Sequence, residues 1–235
     1  LGDTLSGNAR VNILRGNSGN DTMRGSSSND VIYGGSGNDR LFGDVGNDML
    51  YGEAGNDSMF GGTGNDKLYG GLNEDTYNFA TPTAAEADQV FELSNEGTDI
   101  LDFSAVSDDI FLQLAETAIQ SVHTNRTLKL NSGVSFENAI SGSGVDILLG
   151  NSLNNNLNGG NGGGILVGYA GDDILVGGNG RDILIGGNGL DTITGGGDDD
   201  ILIAGRTTSD SNVDNLIEMH IAWTSPAAYV IRAQL

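Results

Sequence analysis

Cysteine is absent from this 235-residue chain, so neither a disulfide framework nor thiol chemistry supports it. Proline occurs only twice beside 39 glycines, which excludes collagen and argues against a generic disordered linker. Basic residues are scarce: 10 Lys and Arg stand against 32 Asp and Glu, for a formal net charge of −22. Without a basic patch the chain cannot displace nucleic-acid counterions or hold an anionic membrane by charge. No apolar run approaches the roughly 18 residues that would span a bilayer. Histidine is limited to His123 and His220. With no H-E-x-x-H pair a zincin site is excluded within the chain, and no G-x-S-x-G elbow offers a serine nucleophile. His123 is expected in a loop and His220 on an apolar helix face, both in structural roles. The chain reads as a non-enzyme.

What the chain does have is one period. Every ninth residue holds Asp3, Asn12, Asp21, Asp30, Asp39, Asp48, Asp57, Asp66 and Asp75. A second run holds Asp146, Asn155, Gly164, Asp173, Asp182, Asp191 and Asp200. Two places after each stands an apolar residue, from Leu5, Leu14 and Met23 to Leu184, Ile193 and Leu202. The unit is G-G-x-G-x-D-x-(apolar)-x, nearly intact as Gly34-Gly35-Ser36-Gly37-Asn38-Asp39-Arg40-Leu41-Phe42. Glycine at places one, two and four permits positive φ and lets carbonyl oxygens converge. The aspartate adds negative oxygen. Hard oxygen ligands without His or Cys suit calcium, at about 2.3–2.6 Å. The last three places predict a short strand with its middle side chain inward.

The unit resembles the calcium-binding nonapeptide of the repeats-in-toxin (hemolysin-type) family, over about residues 1–78 and 141–205. The resemblance implies an all-β fold: a parallel β-roll or β-helix solenoid with calcium-binding glycine-rich turns. It also implies type I export and a secreted location, extracellular or at the cell surface, where calcium is plentiful. Two units make one coil in such a roll, so equivalent loops stack eighteen residues apart. One edge then carries Asp3, Asp21, Asp39, Asp57 and Asp75, and the other Asn12, Asp30, Asp48 and Asp66. Carboxylates at about 5 Å repel by about 0.8 kcal/mol in water and about 3 kcal/mol at an effective dielectric near 20. Several calcium ions between the loops reverse that sign, so folding and binding are expected to be one event.

The expected ligands are the sixth-place aspartates Asp3, Asp21, Asp30, Asp39, Asp48, Asp57, Asp66, Asp75, Asp146, Asp173, Asp182, Asp191 and Asp200. Fifth-place Asn20, Asn38, Asn47, Asn56 and Asn65 are expected in support. Backbone carbonyls are expected from Gly34, Gly37, Gly43, Gly46, Gly52, Gly55, Gly61, Gly64, Gly177, Gly180, Gly186 and Gly189. Where Asn155 and Gly164 replace aspartate, binding should be weak or absent. Kd is expected around 10⁻⁴–10⁻³ M, as for extracellular modules.

Four regions follow. Residues 1–78 form the first roll block. Residues 79–140 lose the glycine code, and Asp75 and Asp146 are 71 residues apart, so the blocks are out of phase. That segment still alternates like strand (Ile110, Leu112, Leu114; Leu128, Leu130; Val134, Phe136), with turns at 95–97 and 131–133. It reads as irregular, metal-poor coils, with a separate β domain as the alternative, and Asp108-Asp109 reads as a solvated turn. Residues 141–205 form the second block. Its strands are apolar at all three places, which predicts burial on both faces and a cover for Ile165, Ile183 and Ile201.

Residues 206–235 predict a helical cap on the solenoid end. Asp210 is the expected N-cap, with Val213, Leu216, Ile217, His220 and Ile221 on one face and Trp223 at the end. A second helix is expected from Ser225-Pro226, carrying Tyr229, Val230 and Leu235. Because Asp3 already fills a sixth place, the chain is expected to be part of a longer one. Ninth-place Tyr33, Tyr51 and Tyr69, and Phe42 and Phe60, predict outer aromatic ladders, either for packing or as a binding surface. A regular Thr or Asn ladder for ice binding is missing.

These features predict a calcium-binding β-roll module that folds and stiffens on extracellular calcium. Two alternatives stand beside it. One is a calcium-triggered self-assembling surface or fibre protein, joined through solenoid ends or the Ile-rich face. The other is the accessory region of an exported enzyme.

Overall fold

A strand that buries one side chain per repeat cannot form a core alone; it needs copies stacked above and below. The structure, a computed structural model that describes residues 1–92, 97–131, 135–207 and 212–225, builds that stack as a parallel β-solenoid with one short C-terminal helix. Partners lie one coil apart, with Ile32 beside Leu50 and Leu41 beside Met59. Strands in the first block are longer than the three residues predicted: Val31–Ser36 and Arg40–Val45 span six each. The parallel ladder continues into the next unit, pairing Gly35 with Glu53 and Ser36 with Ala54.

Among the described residues the strands form three sheets. One, of ten strands, runs unbroken from Thr4–Ser6 to Thr192–Gly196. The opposite side is divided. A seven-stranded sheet runs from Ile13–Ser18 through Glu86–Phe91 to Arg126–Leu130, where the antiparallel strand Gln120–His123 ends it. A five-stranded sheet then starts at Phe111–Gln113 and runs to Ile201–Ile203. Closing one sheet and opening another uses chain that need not keep the nine-residue step. That is the physical reason for the phase shift between Asp75 and Asp146. His123 therefore ends a strand, where a loop was expected.

The core is one file of inward side chains. Met23, Ile32, Leu41, Leu50, Met59, Leu68 and Tyr77 are fully buried, and Leu148 to Leu184 repeat the pattern. Between them Val90, Leu101, Leu112, Leu130 and Ala139 hold the same inward place. Burial of a Leu or Ile side chain contributes about 1.5–3 kcal/mol, and contiguity makes the file a single core. Of the turns expected in this segment, residues 95, 96, 132 and 133 lie outside the described residues, as does Val134.

The all-apolar strands of the second block differ by side. Ile165, Val167, Ile183 and Ile185 are buried on the outer face as well. Ile174 is not: it is 45% exposed, because a nine-residue step moves it to the opposite sheet, where no described helix lies over it. The cover is the helix Val213–Thr224, whose Leu216 is fully buried against Ile165, Val167, Ile183 and Ile185, with Val213 and Ile217 beside it.

This helix corrects three expectations. Asn212 is its N-cap, accepting from the Asn215 N–H at 3.1 Å, while Asp210 lies outside the described residues. Ile221 faces solvent at 61% exposure. And the helix lies along the flank of the sheet, where the isoleucine stripe offers apolar area, not across the end, where Leu202 remains 48% exposed. The expected second helix beyond Ser225 lies outside the described residues. No described helix is long and apolar enough to cross a membrane.

The outer aromatics stack face to face. Tyr33–Tyr51, Tyr51–Tyr69 and Tyr69–Phe91 centroids lie 4.9, 4.6 and 4.4 Å apart, and Phe42–Phe60 4.6 Å. Arg15 covers Tyr33 at 4.1 Å and Arg24 covers Phe42 at 4.3 Å. With ring faces turned to one another, the ladders stiffen the roll through cross-strand packing.

Candidate metal centre

Each sixth-place aspartate follows a turn and precedes a strand, so its side chain is carried at the rim of the coil in the same orientation every time. The result is a hydrogen-bonded column. The Asp3 N–H donates to Asp21 Oδ1, Asp21 N–H to Asp39 Oδ1, Asp39 N–H to Asp57 Oδ1 and Asp57 N–H to Asp75 Oδ1, at 2.5–2.8 Å. On the other rim Asn12 N–H donates to Asp30 Oδ1, Asp30 N–H to Asp48 Oδ1 and Asp48 N–H to Asp66 Oδ1, at 2.6–2.8 Å.

Those bonds use one carboxylate oxygen. The other is left to itself: Oδ2 of Asp21, Asp30, Asp39, Asp48, Asp57, Asp66, Asp173, Asp182 and Asp191 is buried, and no protein group donates a hydrogen bond to it. A buried acceptor without a donor costs about 1–3 kcal/mol, more when charged. In Asp21, Asp30, Asp39, Asp48, Asp57, Asp173 and Asp182 that oxygen also faces a glycine carbonyl. A Cβ on Gly34 would stand 2.5 Å from Asp39 Oδ2 and 2.7 Å from the Gly52 carbonyl oxygen, so the bare Cα leaves two oxygens lining one small gap. The pattern recurs at Gly25, with Asp30 Oδ2 and the Gly43 oxygen at 2.5 and 2.7 Å. Buried, donor-starved carboxylate and carbonyl oxygens in one gap fit a hard divalent cation, and calcium in particular.

The glycines have distinct jobs. Gly34 has no positive φ; it is glycine because a side chain would strike those oxygens. Gly43, Gly52, Gly61, Gly177 and Gly186 face their own aspartates in the same way. Place four turns the chain through positive φ, as at Gly37 (123°), and the same holds for Gly46, Gly55, Gly64, Gly180 and Gly189. The expectation of positive φ at place one is corrected accordingly.

Burial without compensation shows in the acidities. Desolvation, the leading cause, pushes Asp48 and Asp173 up to about 6 and Asp57, Asp66 and Asp182 up to about 7. The backbone N–H that each accepts pulls the other way, and neighbouring carboxylates push it up further. Asp30, Asp39 and Asp146 are raised as well, again chiefly by desolvation.

Other expected ligands sit differently. Asn20, Asn38, Asn47, Asn56 and Asn65 are exposed, outside the buried columns. Their oxygens accept from the next coil, as from Asn38 N–H to Asn20 Oδ1 at 3.0 Å and Asn65 N–H to Asn47 Oδ1 at 2.9 Å. Asp3 is exposed, and Asp200 half-buried. Asn155 fills its gap itself: Nδ2 donates to the Glu137 carbonyl at 3.0 Å and to Asn151 Oδ1 at 3.2 Å. Gly164 brings no side chain, though its N–H donates to Asp182 Oδ1 at 2.6 Å.

Sequence reading by strict ninths missed the members that bridge the blocks. Asp66 N–H donates to Asp88 Oδ1, 22 residues on, and Asp75 N–H to Asp99 Oδ1, 24 residues on, both at 2.9 Å. Asp99 N–H in turn donates to Glu137 Oε2 at 3.0 Å. The signal was present: Asp88-Gln89-Val90, Asp99-Ile100-Leu101 and Glu137-Asn138-Ala139 each keep an acid two places before an inward residue. At Gly70 a Cβ would meet Asp75 Oδ2, Tyr77 OH and Glu92 Oε1, so a carboxylate lines the gap where a glycine carbonyl stands in earlier coils. Asp75, Glu92 and Asp99 are all buried there, with ligand atoms within 4.8 Å of one another. Tyr77 OH donates to Glu92 Oε1. The segment read as metal-poor thus contributes two of three converging acids.

Residues 2–32, 15–50 and 42–77 match the RTX calcium-binding nonapeptide repeat, described as four copies. Residues 61–221 match the peptidase M10 serralysin C-terminal model. Neither match is to a catalytic domain. No curated protein matches the chain. The second match covers more than half of the chain and takes in the end of the first block, the bridging segment, the second block and most of the helix, so the chain belongs to the peptidase M10 serralysin C-terminal family, with RTX calcium-binding repeats in its first third.

Proposed function

We propose that this chain is a calcium-dependent β-roll module of a secreted protein, and that it folds and stiffens as calcium enters the gaps between stacked loops. The observation that carries this reading is the file of buried aspartate Oδ2 atoms that no protein group satisfies. Asp21, Asp39 and Asp57, with the carbonyls of Gly34, Gly52 and Gly70, would hold ions on one rim. Asp30 and Asp48, with Gly43 and Gly61, would hold them on the other. In the second block Asp173 and Asp182 face the carbonyls of Gly186 and Gly195 in the same manner. The ion supplies positive charge that turns carboxylate repulsion along each column into attraction. The chain's own residues supply the rest: the Oδ1–amide bonds set the coil spacing and the bare glycines keep the gaps open.

The serralysin C-terminal match favours a context as the accessory region of an exported enzyme over a free-standing assembly protein. Burial of Ile165 and Ile183 beneath the helix also argues against self-association through the Ile-rich face. Calcium titration, with far-ultraviolet circular dichroism and particle size followed together, tests the proposal. A coil-to-β transition near about millimolar calcium without growth supports it. Growth in step with the transition favours assembly, and a full β signal in excess chelator defeats calcium-driven folding.

A further inference from the structure

The second column ends differently from the rest. Asp88 is its last member, held by the Asp66 N–H at 2.9 Å. In the next coil the residue in register with Asp88 is Leu128, so no further carboxylate continues the file. Asp88 Oδ2, the oxygen left without a donor in earlier coils, here accepts from Arg126 Nη1. Arg126 Nη2 donates to Glu86 Oε2 at 2.7 Å and to the Ala80 carbonyl at 3.3 Å. The guanidinium lies 5.2 Å from the Phe79 ring centroid. Side chains of Arg126, Glu86 and Asp88 are only 4%, 2% and 3% exposed.

We propose that Arg126 is a built-in cation that takes the place of calcium at the end of this column, so that the last coil is closed without the ion. The proposal rests on the reading of the earlier gaps as calcium sites. Geometry distinguishes this from a surface ion pair: a buried, fixed guanidinium is bonded to two carboxylates and a carbonyl, the oxygen types that line a calcium gap. Register adds the reason for it. A gap bounded by Leu128 has oxygen ligands on one side only, which suits a tethered cation better than an ion needing six or more oxygens. The strands Glu86–Phe91 and Arg126–Leu130, which Arg126 joins, would then keep their pairing in the absence of calcium and give the repeats a template on which to stack.

Hydrogen exchange on the full chain in excess chelator tests this. Amides of Glu86–Phe91 and Arg126–Leu130 are expected to exchange at least about tenfold more slowly than those of Arg40–Val45 and Met49–Ala54. Equal, fast exchange in all four strands overturns the proposal while leaving calcium-driven folding of the repeats intact. Slow exchange in all four defeats the calcium reading itself, and the proposal falls with it. Arg126→Gln, which keeps a polar side chain but shortens it and removes the charge, is expected to lose the chelator-resistant protection and recover it when calcium is added. If this variant stays as protected in chelator as the parent, or fails to recover with calcium while the repeats do, Arg126 is not standing in for the ion. Arg126→Lys is expected to retain most of the protection.

Discussion

The backbone N–H of Asp39 donates to Oδ1 of Asp57, eighteen residues on, at 2.7 Å, while Asp57 Oδ2 is buried with no donor. In the proposed reading one carboxylate thus does two things: one oxygen sets the coil spacing, and the other would take the cation. Asp57→Asn separates them, keeping an amide oxygen to accept the bond while removing charge. The calcium midpoint of folding is expected to rise about tenfold, equivalent to about 1.4 kcal/mol. Asp44→Asn is the control, since Asp44 pairs with Arg24 on the surface and Asn tolerates its positive φ of 72°. Its effect should stay within about 0.5 kcal/mol. Equal shifts in a calcium titration would sink the distinction.

The raised carboxyls give a pH dependence with a definite sign. Folded values near 6 for Asp48 and near 7 for Asp57 and Asp66 exceed the ordinary 3.8, so the ion-free fold binds protons more tightly than the unfolded chain. That contribution is complete below the ordinary value and is lost as pH rises through the folded values. A chelated sample should therefore gain β signal as pH is lowered from about 7 to about 5. With calcium present the effect reverses: protons compete for the same oxygens, and the calcium midpoint rises over that window. A midpoint that does not move between about pH 5 and pH 8 would count against the column as the binding site.

Gly34→Ala tests the gap without removing any ligand atom. The new methyl would meet Asp39 Oδ2 at 2.5 Å and the Gly52 oxygen at 2.7 Å, too close for either to remain in place. Since Gly34 has no positive φ, strain is not the cause of any loss. Overpacking should cost roughly 1–3 kcal/mol in thermal unfolding with calcium, together with a raised calcium midpoint. Gly205→Ala, where a Cβ meets nothing within 4 Å, is expected to be neutral.

Much of this was legible in the sequence because the repeat is regular. A fixed spacing between Asp39 and Leu41 defines rim and core together, and eighteen-residue stacking brings Asp21, Asp39 and Asp57 into one column. Legibility failed where geometry, not spacing, sets position. Asp88 and Asp99 belong to the columns although the intervals to them are 22 and 24 residues, because strand pairing tolerates longer turns. Arg126 could not be assigned from sequence at all; its partner Asp88 is 38 residues away. The three-apolar motif of Ile174-Leu175-Val176 misled for a related reason. It is the same motif as Ile183-Leu184-Ile185, but only the latter's sheet lies beneath the helix.

The helix offers a test of whether the flank and the metal columns are energetically separate. Leu216 is fully buried on Ile165, Val167, Ile183 and Ile185, whereas the carboxylate gaps lie at the rims of the coils. Leu216→Ala removes most of a side chain that fills the centre of that contact, at a cost of about 2–5 kcal/mol to docking of the helix. A twelve-residue helix has little stability alone, so it should undock and unwind, not shift. Four isoleucine and valine side chains would then face water, and binding of an apolar dye should increase. The calcium midpoint should stay where it was, because Leu216 packs in a cluster of apolar strand side chains. Ile221→Ala, at a side chain already 61% exposed, should change neither readout. A shifted calcium midpoint in Leu216→Ala alone would mean that helix docking and ion binding are coupled through the five-stranded sheet.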